Sequence, residues 1–297
     1  MARVLVVGIA TLDIINTVDD YPEEDAEVRA SAQATRRGGN ACNTAVVLQQ
    51  LGHQCSWAGT LADDASSTII RADLARYGVN MDAVQVITGG SSPTSYVTLN
   101  KQNGSRTIVH YRDLPEYSLT AFKQIDLTGF DWLHFEGRNV AQTRAMLDVA
   151  RQRTPTIPHS VEIEKPREGI ESLCDGAKLL LYSRSYVQSC HVTNSETSDP
   201  VTFLQAQQQI MPTTEHICSW AGQGAWGVDQ QGKILHSPAQ GLPCVVDTLG
   251  AGDTFNAAII HAKLAGLPLA DSLRDACQLA GQKCTQQGLR GIVQRQR

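Results

Sequence analysis

The sequence predicts an α/β fold: a parallel sheet between two helical layers, with a second, smaller β-sheet inserted near its start. Three observations carry this. Near-continuous apolar runs recur, as in strands buried on both faces: RVLVVGIA at 3–10, FDWLHFEG at 130–137, TIPHSVEIE at 156–164, AKLLLYS at 177–183 and EHICSWA at 215–221. Between them lie stretches with apolar residues at helical spacing, and strand alternating with helix implies a parallel sheet covered on both sides. Two early stretches, 14–37 and 94–112, break the rhythm and read as paired extended segments.

Composition agrees. The 297 residues, 42% hydrophobic and 19% charged, suffice for a packed core and are read as one domain spanning 1–297. With 25 basic against 30 acidic residues the net charge is −5, which gives no global attraction to nucleic acid or anionic lipid. No apolar stretch is long enough to span a bilayer. The opening MARVLVVGIATLD meets Asp13 early and reads as a first buried strand rather than a leader. The 8 scattered cysteines form no C-x-x-C pair and suggest reduced thiols of a cytoplasmic protein. The 8 histidines show no ligand spacing, so no structural zinc is expected.

In order along the chain, the first strand runs through RVLVVGIA, with Asp13 at its end. Ligands of open α/β sheets bind beyond the carboxyl ends of strands, where Asp13 could accept sugar hydroxyls or be a solvated turn acid. The 14–37 stretch surrounds a polar, Pro-containing loop. Helical patterns follow in NACNTAVVLQQLG, ending at Gly52, and DASSTIIRADLARYG, ending at Gly78. TSYVTLNKQNGSRTIVHYR (94–112) reads as a hairpin turning at Asn103-Gly104. Val97, Leu99, Ile108 and Val109 there cannot bury themselves in an isolated hairpin. The small sheet should therefore cover the end of the main sheet, pack on a second subunit, or both. Later helical patterns occupy 139–153, 199–210 and two stretches within 253–288.

Two glycine motifs carry the chemistry. In RRGGNACNTAVVLQQLG (36–52), Gly38 and Gly39 permit a bend, and Asn40 and Asn43 then share a face of the next helix. Amides that donate and accept suit hydroxyl-rich ligands, although an Asn helix cap is the plainer alternative. In DTLGAGDTF (247–255), Asp253 falls in the first helical turn behind a glycine-flanked bend. A helix start holds anions, so an acid there suggests chemistry at a phosphate. CSWAGQGAWGVD (218–229) contains G-x-G-x-x-G at 222, 224 and 227, but AWGVDQQGKILH, which takes in the last of these glycines, reads as two short strands around a Gln-Gly turn. A dinucleotide fingerprint needs a helix next, so a nicotinamide site is rejected. Walker-type and G-x-S-x-G motifs are absent from the sequence. Arg106 on the hairpin could reach phosphate oxygens or simply guard an edge strand. Glu162 and Glu164 share a strand face and could hold magnesium through water or pair with Arg138 or Lys165. Glu136 and Arg138 could line the same cleft.

Together, GGNACNTAVVLQQLG and DTLGAGD resemble the ribokinase family, the PfkB-type sugar kinases. NGSRTIVHYRDLP, HFEGRN, SVEIEKPRE and CSWAGQGA extend the likeness, towards its fructokinase branch, over nearly the whole chain; 184–212 fits least. The resemblance implies a ribokinase-like, Rossmann-like three-layer sandwich whose small sheet, about 14–37 and 94–112, is a lid. It implies ATP-dependent phosphorylation of a ketohexose, fructose to fructose 1-phosphate, with Mg²⁺ and, in some members, K⁺. Asp253 would be the base, and the backbone of Gly250, Ala251 and Gly252 the anion hole. Its position at a helix start would lower the Asp253 pKa. Asp13, Gly39, Asn40 and Asn43 would hold the sugar. Arg106, Trp220, Ala221, Gly222, Gln223 and Gly224, with Gly250 and Gly252, would hold the nucleotide. Glu164 would serve magnesium, and Asp247 would lie near a potassium ion. The family's N-x-x-E motif has no copy in LLLYSRSYVQSC. A homodimer through the lid is expected. Other acceptors (ribose, a sugar phosphate, a nucleoside) and a catalytically silent sugar or nucleotide sensor are the alternatives.

Overall fold

The architecture follows from the way alternate residues of the buried strands face opposite sides. A computed structural model describes residues 1–190, 199–229, 231–242 and 244–293; Gln230 of the expected Gln-Gly turn and part of the least similar stretch, 191–198, lie outside them. The strands are β1 (Arg3–Val7), β2 (Thr11–Val18), β3 (Ala32–Gly38), β4 (Gln54–Ala58), β5 (Thr60–Ala62), β6 (Gln85–Ile87) and β7 (Thr94–Asn100). They continue with β8 (Arg106–Tyr111), β9 (Trp132–Glu136), β10 (His159–Ile163), β11 (Leu179–Ser183), β12 (Glu215–Ser219), β13 (Ala225–Val228) and β14 (Ile234–Ser237). The helices are α1 (Asn40–Gln50), α2 (Ala65–Tyr77), α3 (Leu119–Phe122), α4 (Val140–Arg153), α5 (Arg184–Ser189), α6 (Pro200–Ile210), α7 (Ala251–Leu264) and α8 (Leu269–Cys284).

The main sheet has 8 strands in the order β14-β13-β12-β11-β10-β9-β1-β4. It is parallel from β4 to β12, and β13 and β14 extend it antiparallel. Val4 and Val6 enter one core with α1, α2, α7 and α8, whereas Leu5 and Val7 enter the other with α3, α4, α5 and α6. This is the expected three-layer sandwich. Because the sheet is parallel over β4–β12, most loops that follow its strands open at one end.

The small sheet has 4 strands in the order β3-β2-β7-β8, with β2 and β7 parallel and the outer pairs antiparallel. Its inward residues Ile15, Val97 and Leu99 are buried against Leu249. Tyr96, Val109 and Tyr111 are exposed.

Several expectations need correction. The first strand stops at Val7, so Asp13 is the third residue of β2 and belongs to the small sheet, which starts at Thr11 rather than at 14. Five residues, not two, join β7 to β8: Asn100 Oδ1 accepts the Gln102 and Asn103 N–H groups, and Gly104 takes the left-handed conformation at φ 70. β4, at the sheet edge, escaped notice because its half-exposed positions are the polar Gln54 and Ser56. The short β5–β6 pair was likewise not foreseen. β13 takes in the third glycine of the G-x-G-x-x-G stretch and β14 comes next, so strands and not a helix occupy this part of the chain, as the sequence indicated. Among the described residues no helix is long and apolar enough to cross a membrane.

Candidate active site

A cleft of about 540 Å³ lies where the carboxyl ends of the parallel strands meet the small sheet. Its walls come from distant parts of the chain. Asp13 on β2, Asn40 and Asn43 on α1, Glu162 on β10 and Asp253 on α7 all reach it.

Two glycines make one wall of the cleft possible. A β-carbon at Gly38 would lie 2.0 Å from the Asp13 carboxylate. Gly39, at φ 94, caps α1, and a β-carbon there would lie 2.4 Å from the Ile9 carbonyl oxygen. The bend lets α1 start inside the cleft, where Asn40 and Asn43 are one helical turn apart. The Asn40 amide donates to Glu162 at 3.3 Å, and the Asn43 amide donates to Asp253 Oδ2 at 2.7 Å. Thr11 Oγ1 donates to Asp13 Oδ1 at 2.6 Å.

The opposite wall is the start of α7. Gly250 is its cap at φ 79, and no side chain caps the helix. The first turn therefore presents backbone N–H groups that the helix itself does not use. The Ala251 N–H is partly engaged with the Thr248 carbonyl at 3.3 Å. A β-carbon on Gly252 would meet nothing, so that side is open. Asp253 is 6% exposed and lines the cleft beside this turn. Thr248, in the preceding loop, accepts a hydrogen bond from Arg106 on β8.

The electrostatics correct one expectation. The helix start was expected to lower the Asp253 pKa, but burial pushes it up to about 7, against the opposing Asn43 hydrogen bond and with help from Glu164 and Glu136. Burial also lifts Glu162 well above the ordinary range, reinforced by Asp253, Glu164 and Glu136. Burial raises Glu136 too, although Arg138 and the Ile9 N–H favour its ionised form. Burial raises Asp13 against its Thr11 bond. These carboxyls crowd together at the cleft, whose lining also carries Arg106, Arg138, Lys165 and Arg167.

Other expected residues are placed differently. Residues 220–224 stand outside the cleft lining, although the preceding Ser219 reaches it. Trp220 is buried edge-on against Trp226, with Arg184 over its ring. Ala221, Gly222 and Gln223 form an exposed turn. Gly224 is needed for packing, since a β-carbon there would lie 2.0 Å from the Ser237 carbonyl oxygen.

Asp247 is already occupied. Its Oδ2 meets Lys283 Nζ at 3.0 Å, Arg36 at 3.2 Å and the Gly288 N–H at 3.0 Å. Lys283 is fully buried and also donates to the Asp247 and Gln286 carbonyl oxygens. An ammonium group fills this oxygen-lined position, so Asp247 does not fit a potassium ion. Glu164 does fit a role with magnesium: it lines the cleft, and the crowded carboxyls favour a divalent cation. Among the described residues no three acids, histidines or cysteines are close enough to enclose a metal, so water and phosphate oxygens would supply most ligands.

Reading the sequence missed Asn256, one turn after Asp253, which donates to Glu162 at 2.9 Å. It also missed Asp73, and with it the pairing that holds Arg37 behind Asn43. The i, i+3 spacing on α7 could have found Asn256; no local signal joins Arg37 to Asp73, on α2.

A family model described as pfkB family carbohydrate kinase matches residues 1–295. The chain is 40% identical over 298 residues to ketohexokinase of Mus musculus, covering 98% of this chain and 99% of that protein. It is 24% identical to ribokinase of Bacillus subtilis, covering 98% and 96% of the two chains. Among solved structures it resembles ribokinase from Cryptococcus neoformans in complex with ADP, at TM-score 0.81 and 18% identity, covering 99% and 97%. It also resembles Arabidopsis thaliana ribokinase complexed with ribose and ATP, at TM-score 0.77 and 20% identity, covering 97% and 94%.

Proposed function

The chain belongs to the pfkB family of carbohydrate kinases, and on that premise we propose that it transfers the γ-phosphoryl group of ATP to the 1-hydroxyl of a ketohexose, fructose above all. The observation that carries this reading is Asp253, held by Asn43 at 2.7 Å in a cleft beside an uncapped helix start.

Asp13, Asn40 and Asn43 hold the sugar, and Gly39 supplies the close backbone approach. Asp253 aligns the 1-hydroxyl and accepts its proton as the oxygen–phosphorus bond forms. The bond from phosphorus to the β-phosphate bridging oxygen breaks, and ADP leaves. The N–H groups of the 250–252 turn receive the charge on the transferred group, and Arg106 closes from the small sheet. Alignment and fixed dipoles do most of this work, because phosphoryl transfer has a loose transition state. Glu164, with water, would hold Mg²⁺, which when bound screens phosphate charge.

A neutral acceptor is favoured over a phosphorylated one. Arg36 is paired with Asp247, Arg37 with Asp73, and Arg138 with Glu116 and Glu136. No second phosphate would find one of these guanidiniums unengaged. The identity to mouse ketohexokinase supports the same choice. The small sheet serves as lid, and its exposed Tyr96, Val109 and Tyr111 form the contact of a homodimer.

The test is ADP release in a coupled assay over fructose, other ketohexoses, ribose, fructose phosphates and nucleosides. Fructose should give the highest kcat/KM. Activity confined to nucleosides or sugar phosphates refutes the reading.

A further inference from the structure

We infer that Arg37 is a positioning residue for this phosphoryl transfer: it sets the Asn43 amide against Asp253 and so fixes where the acceptor hydroxyl is received. The inference rests on the sugar-kinase reading above.

Four side chains from four elements form a line. Arg37 Nε on β3 donates to Asp73 Oδ2 on α2 at 2.8 Å. Its Nη1 donates to Asn43 Oδ1 on α1 at 2.7 Å. Asn43 Nδ2 donates to Asp253 Oδ2 on α7 at 2.7 Å. The Arg37 side chain is 2% exposed, although Arg37, Asn43 and Asp73 also edge a second, open cavity.

An asparagine amide has nearly the same shape when turned over, and only its partners decide which end faces which way. Turned over here, its oxygen would face the Asp253 carboxylate and its NH₂ the guanidinium. Both contacts would set like against like. Arg37 excludes that state. One Asn43 N–H is spent on Asp253; the second remains to reach a sugar oxygen. A lysine would keep the charge but cannot make two bonds at a fixed angle, which the planar guanidinium does.

Arg37 also acts on Asp253 through charge, favouring its ionised form. Glu136 on β9, Glu162 on β10 and Glu164 beyond it oppose that effect. Asp13 on β2, Arg106 and His110 on β8, Arg138 before α4, Lys165 and Arg167 after β10 and Tyr182 on β11 are the other charged or titratable groups lining the cleft.

The test compares the full chain with Arg37→Met, Arg37→Lys and Asp73→Asn on whichever sugar the unaltered protein phosphorylates. Thermal melting checks folding, and calorimetry measures binding of a non-hydrolysable ATP analogue. Arg37→Met should lower kcat/KM for the sugar roughly 100-fold, mostly in kcat, with analogue affinity changed less than about twofold. Its acid limb should move to higher pH. Arg37→Lys should restore the limb but not the rate. A purely structural tie would lower melting temperature and both ligand affinities together, without moving the limb, and that result overturns the inference. If Arg37→Met does not fold, Asp73→Asn decides: a sugar-specific kcat loss of about threefold or more supports it, and wild-type kinetics overturn it. A wild-type protein inactive on every sugar refutes the sugar-kinase reading instead. Asn43 side-chain amide resonances identical in wild type and Arg37→Lys would then overturn the positioning role independently.

Discussion

Replacing Asp253 by asparagine should make the protein more stable and almost inactive at once. The side chain is buried, and its folded-state pKa of about 7 lies well above its ordinary 3.8. For an acid, a raised folded-state pKa means that the ionised form destabilises the fold. That penalty is present in full above pH 7, shrinks as the pH falls through about 7, and is gone near the ordinary 3.8. The gap corresponds to on the order of 4 kcal/mol at pH 8, as an upper bound. Asparagine removes the charge and keeps the shape, and its carbonyl oxygen can still accept from Asn43. Part of that penalty should be recovered, so the melting temperature at pH 8 should rise by roughly 2–6 °C and at pH 5 by much less. Turnover should fall about 10²–10⁴-fold, because neither proton acceptance nor hydroxyl alignment survives. Binding of sugar and of an ATP analogue should persist, since Asp13, Asn40 and the α7 turn are untouched. Differential scanning fluorimetry, coupled ADP release and calorimetry read the three quantities. Turnover within about fivefold of wild type would sink the assignment of Asp253 as base. Equal Tm gains at pH 5 and pH 8 would sink the electrostatic argument.

Three further outcomes follow from the same geometry. Activity should rise with pH through about 7 in kcat/KM for the sugar, because the ionised Asp253 is the reactive form; a limb that falls with rising pH there refutes the role. Gly38→Ala puts a methyl group 2.0 Å from Asp13 Oδ2 and should raise the sugar KM at least about tenfold while sparing nucleotide affinity, which initial-rate kinetics will show. Lys283→Met leaves the Asp247 carboxylate, among the described residues, with only the partly exposed Arg36 as a charged partner, and should destabilise the fold by about 3–5 kcal/mol in urea denaturation.

What the sequence disclosed, and what it withheld, divides along physical lines. Strands buried on both faces announce themselves as apolar runs, so β1 and β9–β12 were legible, and the longer helices showed their periodicity, while the short α3 and α5 did not. The glycine motifs exposed Asn43 and Asp253 because each sits within a few residues of the bend that positions it. β4 was hidden because edge exposure admits Gln54 and Ser56. Asp13 was given to the wrong element because apolar residues continue past Val7, where pairing changes from the main sheet to the small one. Lys283 and Arg37 were invisible as buried cations: charged residues read as surface, and their partners Asp247 and Asp73 lie 36 residues away in each case. The Asp253 pKa went wrong because a helix start is local, whereas the burial and the Glu136 and Glu164 charges that overrule it come from elsewhere in the chain.

β3 of the small sheet runs into α1 with Gly39 alone between them. If the small sheet covers the cleft as proposed, Gly39 is the joint, among the several chain connections of that sheet, that ties the cover to Asn40 and Asn43. A swing of the cover about that joint would turn Asn40 and Asn43, and a molecule held by those amides would in turn seat the cover. Adding sugar alone should slow hydrogen exchange across 32–43 and 94–111 together; protection confined to 40–43 would mean the joint is slack.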